Sequence, residues 1–280
     1  MQQFLALSPE DQRLTFEQTA ARLQMVSSSI EKDFWVCWVL QHLFAMPNLA
    51  QHLTFKGGTS LSKAWRLIDR FSEDIDLTIG RELLGFGGAD SPDQAFTSNQ
   101  RGKKLKALKA ACGAYVKTQV LPYLENAMRN TLRAKGRSLE IDQEDPDRQT
   151  LLFHYPSHFP YAEGRYALPV VKIEFGARSN PWPARRRDIQ PMAADVFPQV
   201  FQDPRTSVQA LAPERTFWEK AMLLHEETYR PADKPRKERM ARHYYDLYRL
   251  IEAGVATNAS VDRRLFDEVA GHRQVFFHQR

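Results

Sequence analysis

Cysteine is nearly absent from this chain: Cys37 and Cys112 are the only two in 280 residues. Neither lies near a second cysteine or a ligand cluster, which excludes a disulfide framework and a structural zinc site, and both read as small core residues. No apolar run approaches the length of a membrane span. The start, Met1-Gln2-Gln3-Phe4, lacks the basic and apolar regions of a secretory leader, so the expected compartment is the cytoplasm, with no membrane partner. The glycine signatures GxxxxGK[ST] and GxGxxG do not occur. RRM, KH and zinc-finger patterns are missing, and there is no internal repeat. Acids are scarce in one stretch, where Arg101, Lys103, Lys104, Lys106, Lys109, Lys117, Arg129, Arg133, Lys135 and Arg137 face the single acid Glu125. Two further basic clusters, Arg185-Arg186-Arg187 and Lys234 to Arg242, accompany a net charge of +5. This pattern favours a polyanion such as RNA, held mainly through phosphates without sequence readout.

What the chain does contain is a glycine turn with hydroxyls, Phe55-Lys56-Gly57-Gly58-Thr59-Ser60-Leu61-Ser62-Lys63, placed just before a pair of carboxylates, Asp74-Ile75-Asp76. In Asp74 to Ile79 the apolar residues Ile75, Leu77 and Ile79 alternate with polar ones, so a strand buries the first set and projects both acids from one face. Adjacent carboxylates repel, and the repulsion is relieved by protonation or by a hard cation. Magnesium, which uses one or two carboxylates plus water and phosphate oxygens, suits this pair. Gly57-Gly58 lets backbone approach a ligand, and a helix opened by the Ser60 hydroxyl would present free N–H groups to an anion. A third acid is expected from Val171-Lys172-Ile173-Glu174-Phe175, where Lys172 and Glu174 project together from a strand. In Phe217-Trp218-Glu219-Lys220 a lysine beside bulky apolar residues offers a point charge to phosphate oxygens. The histidines His154, His158, His225 and His243 read as surface or packing residues.

With Glu31-Lys32-Asp33-Phe34-Trp35-Val36, Arg70 to Leu77, Glu214 to Lys220 and Arg242-His243-Tyr244-Tyr245-Asp246-Leu247, these blocks resemble the AbiEii/AbiGii toxin family of the nucleotidyltransferase superfamily. The resemblance implies an α+β fold: a polymerase β-like mixed sheet flanked by helices, with a helical C-terminal region completing the cleft. It implies transfer of a nucleoside monophosphate from an NTP to an acceptor hydroxyl, with RNA such as tRNA as acceptor. It also implies growth arrest or abortive infection, a role in phage defence, and a cognate antitoxin encoded nearby. Asp74, Asp76 and Glu174 would hold two Mg²⁺ ions, with Mn²⁺ a substitute. Gly57, Gly58, Thr59, Ser60, Lys63, Ser72 and Lys172 would bind the nucleotide, and Lys220 and Asp246 would border the site. One departure is visible, since the family often has Arg-Asp where this chain has Arg242-His243. Two rivals are a metal-dependent glycosyltransferase, because Asp-x-Asp also binds nucleotide sugars, and a catalytically silent nucleic-acid-binding module.

The expected organisation is a catalytic domain over 1–195 and a helical region over 196–280. Helices are expected from Ser8-Pro9 to Gln24, from a Ser28/Glu31 capping box to Ala45, and from Arg101 to Ala134 with an interruption at Pro122. Two more are expected at Pro213 to Thr228 and Glu238 to Ala253, the latter burying Met240, Tyr244, Leu247 and Ile251. Strands are expected at Leu53, Asp74, Thr150 to His154 and Tyr166 to Phe175. Glu140 to Asp147 reads as a solvated loop and Pro181 to Pro204 as a connector.

Overall fold

Seven strands form one mixed sheet: β1 (Leu53–Lys56), β2 (Ile75–Ile79), β3 (Ser138–Ile141), β4 (Thr150–His154), β5 (Val170–Gly176), β6 (Ala184–Ile189) and β7 (Thr206–Leu211). Their order is β3-β4-β5-β2-β1-β7-β6. The β1/β7 and β2/β5 pairs are parallel and the other neighbours antiparallel. The computed structural model describes residues 1–72, 74–132, 136–159, 168–231, 233–235 and 239–277. Because side chains alternate along a strand, Phe55, Ile75, Leu77, Ile173, Phe175, Leu151 and Phe153 all fall on one buried face. That face packs on α3 (Ser27–Leu43), where every residue from Ile30 to Leu40 is buried. Trp35 and Trp38 both lie against Phe153. A helix apolar on all sides belongs in a core, and α3 is the centre of this one. Around it lie α1 (Gln2–Ala6) and α2 (Pro9–Leu23), the latter capped by Ser8 Oγ, which accepts from Asp11 N. Cys37 and Cys112 are buried as expected.

Several elements differ from the sequence expectation. The capping box of α3 does not form, because the helix starts at Ser27 without a side-chain cap. Glu31 instead accepts from Ser157 Oγ at 2.6 Å and His158 N at 2.7 Å. Beyond α5 (Ser98–Tyr115), a π-helical turn at Val116–Val120 leads into α6 (Leu121–Thr131). Proline lacks the N–H and clashes with the preceding turn, so the disturbance falls just before Pro122. The stretch read as a Pro-rich connector holds β6 and α7 (Met192–Val196), since the arginines of an edge strand face solvent and leave no apolar alternation to read. The acidic segment read as a loop begins inside β3, and β7 was not foreseen. Residues 133–134, 166–167 and 238, included in the expected elements, lie outside the described residues.

The C-terminal region supplies α8 (Pro213–Thr228), α9 (Ala241–Glu252), α10 (Val255–Val261) and α11 (Arg263–Phe276). β7 pairs with β1, so the sheet draws on residues from both sides of position 195. On α9 the expected apolar stripe is the wrong one: Tyr244 and Ile251 are more than half exposed, while Asp246 and Leu250 are buried. The ion pairs of Asp246 with Arg70 and Lys220 outweigh hydrophobicity in setting how this helix faces. Among the described residues no helix is long and apolar enough to cross a membrane.

Candidate active site

The site grows from strand register. Lys56 stands opposite Asp76 across β1/β2, and Asp76 opposite Glu174 across β2/β5, which places three charged side chains in one row on the sheet face away from α3. Directly after Lys56 the chain enters α4 (Gly57–Lys63). Gly57 has φ +78°, and a Cβ there would overlap the Asp76 carboxylate; only glycine lets the helix begin this close to the acid. A Cβ on Gly58 would lie 2.5 Å from Arg70 Nη2 and 2.9 Å from Ser72 Oγ. The Thr59 hydroxyl bridges Ser72 Oγ, at 2.9 Å, and the Asp74 carbonyl. It thereby fixes the approach to β2 without itself entering the cleft.

A cleft of about 270 Å³ opens over this row. Gly57, Gly58, Ser72, Asp74, Asp76 and Glu174 line its sheet side, and Thr216, Glu219, Lys220, Arg242, His243 and Arg273 come from α8, α9 and α11. Burial raises the Asp76 carboxyl to about 6; Lys56 opposes the shift, while Glu174 and Asp74 add to it. Asp76 and Glu174 also share a side-chain hydrogen bond. Glu174 is 41% exposed and pairs with Lys172 Nζ at 2.9 Å, so its carboxylate is reachable from the cleft.

Opposite the acids, Asp246 is fully buried and organises two cations. Arg70 grips it with both Nε and Nη2 at 2.7 and 2.8 Å, and Lys220 Nζ lies 2.9 Å away. Although burial works against ionising Asp246, the Arg70 hydrogen bonds and the Lys220 charge hold its carboxyl below the usual range. Burial, with Lys220 and Arg242 nearby, lowers His243 to about 4. At neutral pH its uncharged Nδ1 therefore accepts from Lys220 Nζ, 3.3 Å away. Two cations around one buried acid leave net positive charge on this wall.

The donor set fits a hard divalent cation in its chemistry: carboxylate oxygens crowded enough to raise one carboxyl, beside a glycine that lets the start of α4 close on them. As they stand, no three His, Cys, Asp or Glu side chains among the described residues are gathered into a ready ligand group. Any ion here would complete its shell with water and phosphate oxygens.

Of the expected site residues, Gly57, Gly58, Ser72, Asp74, Asp76, Glu174 and Lys220 line the cleft. Thr59, Lys172 and Asp246 stand one layer behind it. Lys63 does not belong: its Nζ is bound to Asp33 Oδ1 at 2.6 Å and to the Gln190 carbonyl at 2.9 Å. The reason is where α4 starts. With Gly57 and not Ser60 in its first turn, residue 63 ends the helix against α3, and Ser60 is buried with its hydroxyl unpartnered among the described residues. The sequence reading missed Lys56, Arg70, Arg242 and Arg273, and took His243 for a surface or packing residue. Lys56 was accessible to the same alternation that found Asp76.

Comparisons with known proteins bear on this geometry. The model of the family described as "Nucleotidyl transferase AbiEii toxin, Type IV TA system" matches residues 38–279. No curated protein matches significantly. Among solved structures, MenT4, a nucleotidyltransferase toxin from Mycobacterium tuberculosis H37Rv, is similar at 15% identity and a TM-score of 0.43, covering 97% of this chain and 99% of its own. With the matched span running through both walls of the cleft, the chain belongs to the AbiEii family of nucleotidyltransferase toxins of type IV toxin–antitoxin systems.

Proposed function

We propose that the protein transfers a nucleoside monophosphate from an NTP to an acceptor hydroxyl on RNA, tRNA being the favoured class, and releases pyrophosphate. The observation that carries this reading is the two-sided cleft, with acids on the sheet and cations on the helices. A triphosphate lying between them meets a positive wall at its phosphates and an acidic row at its reacting phosphorus. Asp74, Asp76 and Glu174 would hold one or two magnesium ions, with manganese a substitute. Bound there, such ions supply Lewis-acid charge to the phosphate oxygens.

The remaining steps belong to the chain's own groups. Gly57 and Gly58 let the start of α4 close on Asp76, Arg70 and Ser72, the side chains that would face the phosphates. Lys220 and Arg70, held by Asp246, balance the charge that builds on the departing oxygens. Glu174, exposed and joined to Asp76, accepts the proton of the acceptor hydroxyl. The acceptor oxygen bonds to the α-phosphorus while the bond to the α–β bridging oxygen breaks, and pyrophosphate leaves in line. On this reading the protein would act in the cytoplasm and arrest growth or abort phage infection unless restrained by an antitoxin.

Incubation with each α-labelled NTP, Mg²⁺ and total RNA or purified tRNA tests the reading. Label in RNA with equimolar pyrophosphate is expected. Nucleotide binding without transfer to any RNA would reject it.

A further inference from the structure

The catalytic cleft, at about 270 Å³, is below the roughly 300–1,000 Å³ of ordinary ligand pockets. It has room for reacting phosphates and little else, so an acceptor must approach through adjoining space. A second cavity of about 920 Å³ is lined by α8, by α11 and, beyond α8, by Tyr229, Arg230, Pro231 and Lys234. It shares Leu223, Arg273 and Phe277 with the cleft, so the two adjoin at Arg273.

The lining has two chemistries. Trp218, Phe266, Phe277 and Tyr229 provide aromatic surface, and Tyr229 is 75% exposed. Arg230, Lys234 and Arg273 provide positive charge. Its two acids pair with two of these cations, Glu226 with Arg273 Nε and Nη2 at 2.8 and 2.6 Å and Glu227 with Arg230 Nε at 3.5 Å, so the net positive charge of the lining is that of Lys234. Flat aromatic faces with cations between them are what unpaired nucleotides stack on, in a sequence-tolerant way. The volume is near the upper limit for a single small ligand, which suits a short run of nucleotides better than one base.

We infer that the groove between α8 and α11 receives the unpaired end of the acceptor RNA and leads its terminal hydroxyl past Arg273 to the carboxylate row. This rests on the transferase reading above, and its test is separable from it. An RNA hairpin with an unpaired 3′ tail carrying 4-thiouridine at its last positions is irradiated with the full chain, and cross-linked residues are read by mass spectrometry. Cross-links within 222–234 and 266–277 are expected. Cross-links confined elsewhere, such as the β6 arginines, or none at all, overturn the inference; so does labelling of the same residues by 4-thio-UTP alone, which would assign the groove to the incoming nucleotide's base. In parallel, Ala270→Trp, which fills the groove, and Tyr229→Ala, a surface change that spares the core, are each expected to raise KM for RNA about tenfold, the loss of one stacked base, with the Kd for NTP unchanged. Unchanged KM for RNA in both overturns it. A wild-type protein that cross-links in the groove and transfers nothing keeps this inference and rejects the transferase reading alone.

Discussion

On the sheet wall of the cleft, Lys56, Asp76 and Glu174 stand in one row because paired strands set neighbours residue by residue. On the helical wall, Lys220 of α8 and His243 and Asp246 of α9 meet with Arg70, which lies 176 residues from Asp246 in the chain. No local rule joins them; a buried acid does. The sheet wall is thus fixed by backbone hydrogen bonds and keeps its shape when a side chain is lost. The helical wall depends on one buried acid for both position and stability, so mutations should separate the two: chemistry without stability at the sheet acids, both together at Asp246.

The largest effect is expected at Asp76. Asp76→Ala should lower transfer by roughly 100- to 1,000-fold, the range for losing one preorganised electrostatic group, while leaving circular dichroism near wild type and the metal-free Tm no lower than wild type. Asp246→Ala should behave differently. It strands Arg70 and Lys220 without their carboxylate, and breaking a buried pair from one side costs about 3–5 kcal/mol. Urea unfolding should register that loss along with a raised KM for NTP; a stable variant with unchanged KM would mean the helical wall does not depend on this acid.

The two lysines sharpen the contrast. Lys63→Met should destabilise the fold, because Asp33 is left buried with the Met192 N–H as its one remaining donor among the described residues, yet activity per folded molecule should stay within about twofold, as expected of a site outside the cleft. Lys220→Met should leave stability closer to wild type, since Arg70 still holds Asp246, and raise KM for NTP about tenfold, the loss of one charge-assisted bond. Steady-state kinetics corrected for folded fraction distinguish them. If Lys63→Met lost binding and Lys220→Met did not, the assignment of the two would be reversed.

The smallest effect concerns pH. Asp76 is raised from 3.8 to about 6 in the fold, so between these values the folded state binds more protons than the unfolded one. This group's contribution to stability therefore declines as pH rises through that window and is least favourable above about 6. A divalent cation bound by the ionised row offsets the repulsion. Magnesium should thus raise Tm at pH 7.5 and do little at pH 5; an equal rise at both would place the ion elsewhere.

The same contrast explains what was legible in the sequence. Period-two alternation exposed Asp74, Asp76 and Glu174, because a strand writes its faces into every second residue. It failed for β6, whose arginines face solvent at the sheet edge. The glycine pair was legible as a close approach, but where α4 starts was not, and that offset sent Lys63 to Asp33. On α9 the hydrophobic residues pointed to the wrong face, since Asp246 is drawn inward by Arg70 and Lys220. Charge pairs made across 176 residues leave no local trace, and the contact of His243 with Lys220, 23 residues away, is equally absent from the pattern that made it read as a surface or packing residue.

The central claim is that the acidic row on the sheet holds a divalent cation together with the triphosphate. Its most direct measurement is the number of Mn²⁺ ions bound, by electron paramagnetic resonance, in the presence of a non-hydrolysable NTP analogue for wild type and Asp76→Asn. Wild type should bind one or two ions beyond those of the analogue alone, and the variant should lose them while keeping its fold. Equal binding by the two proteins would contradict the claim.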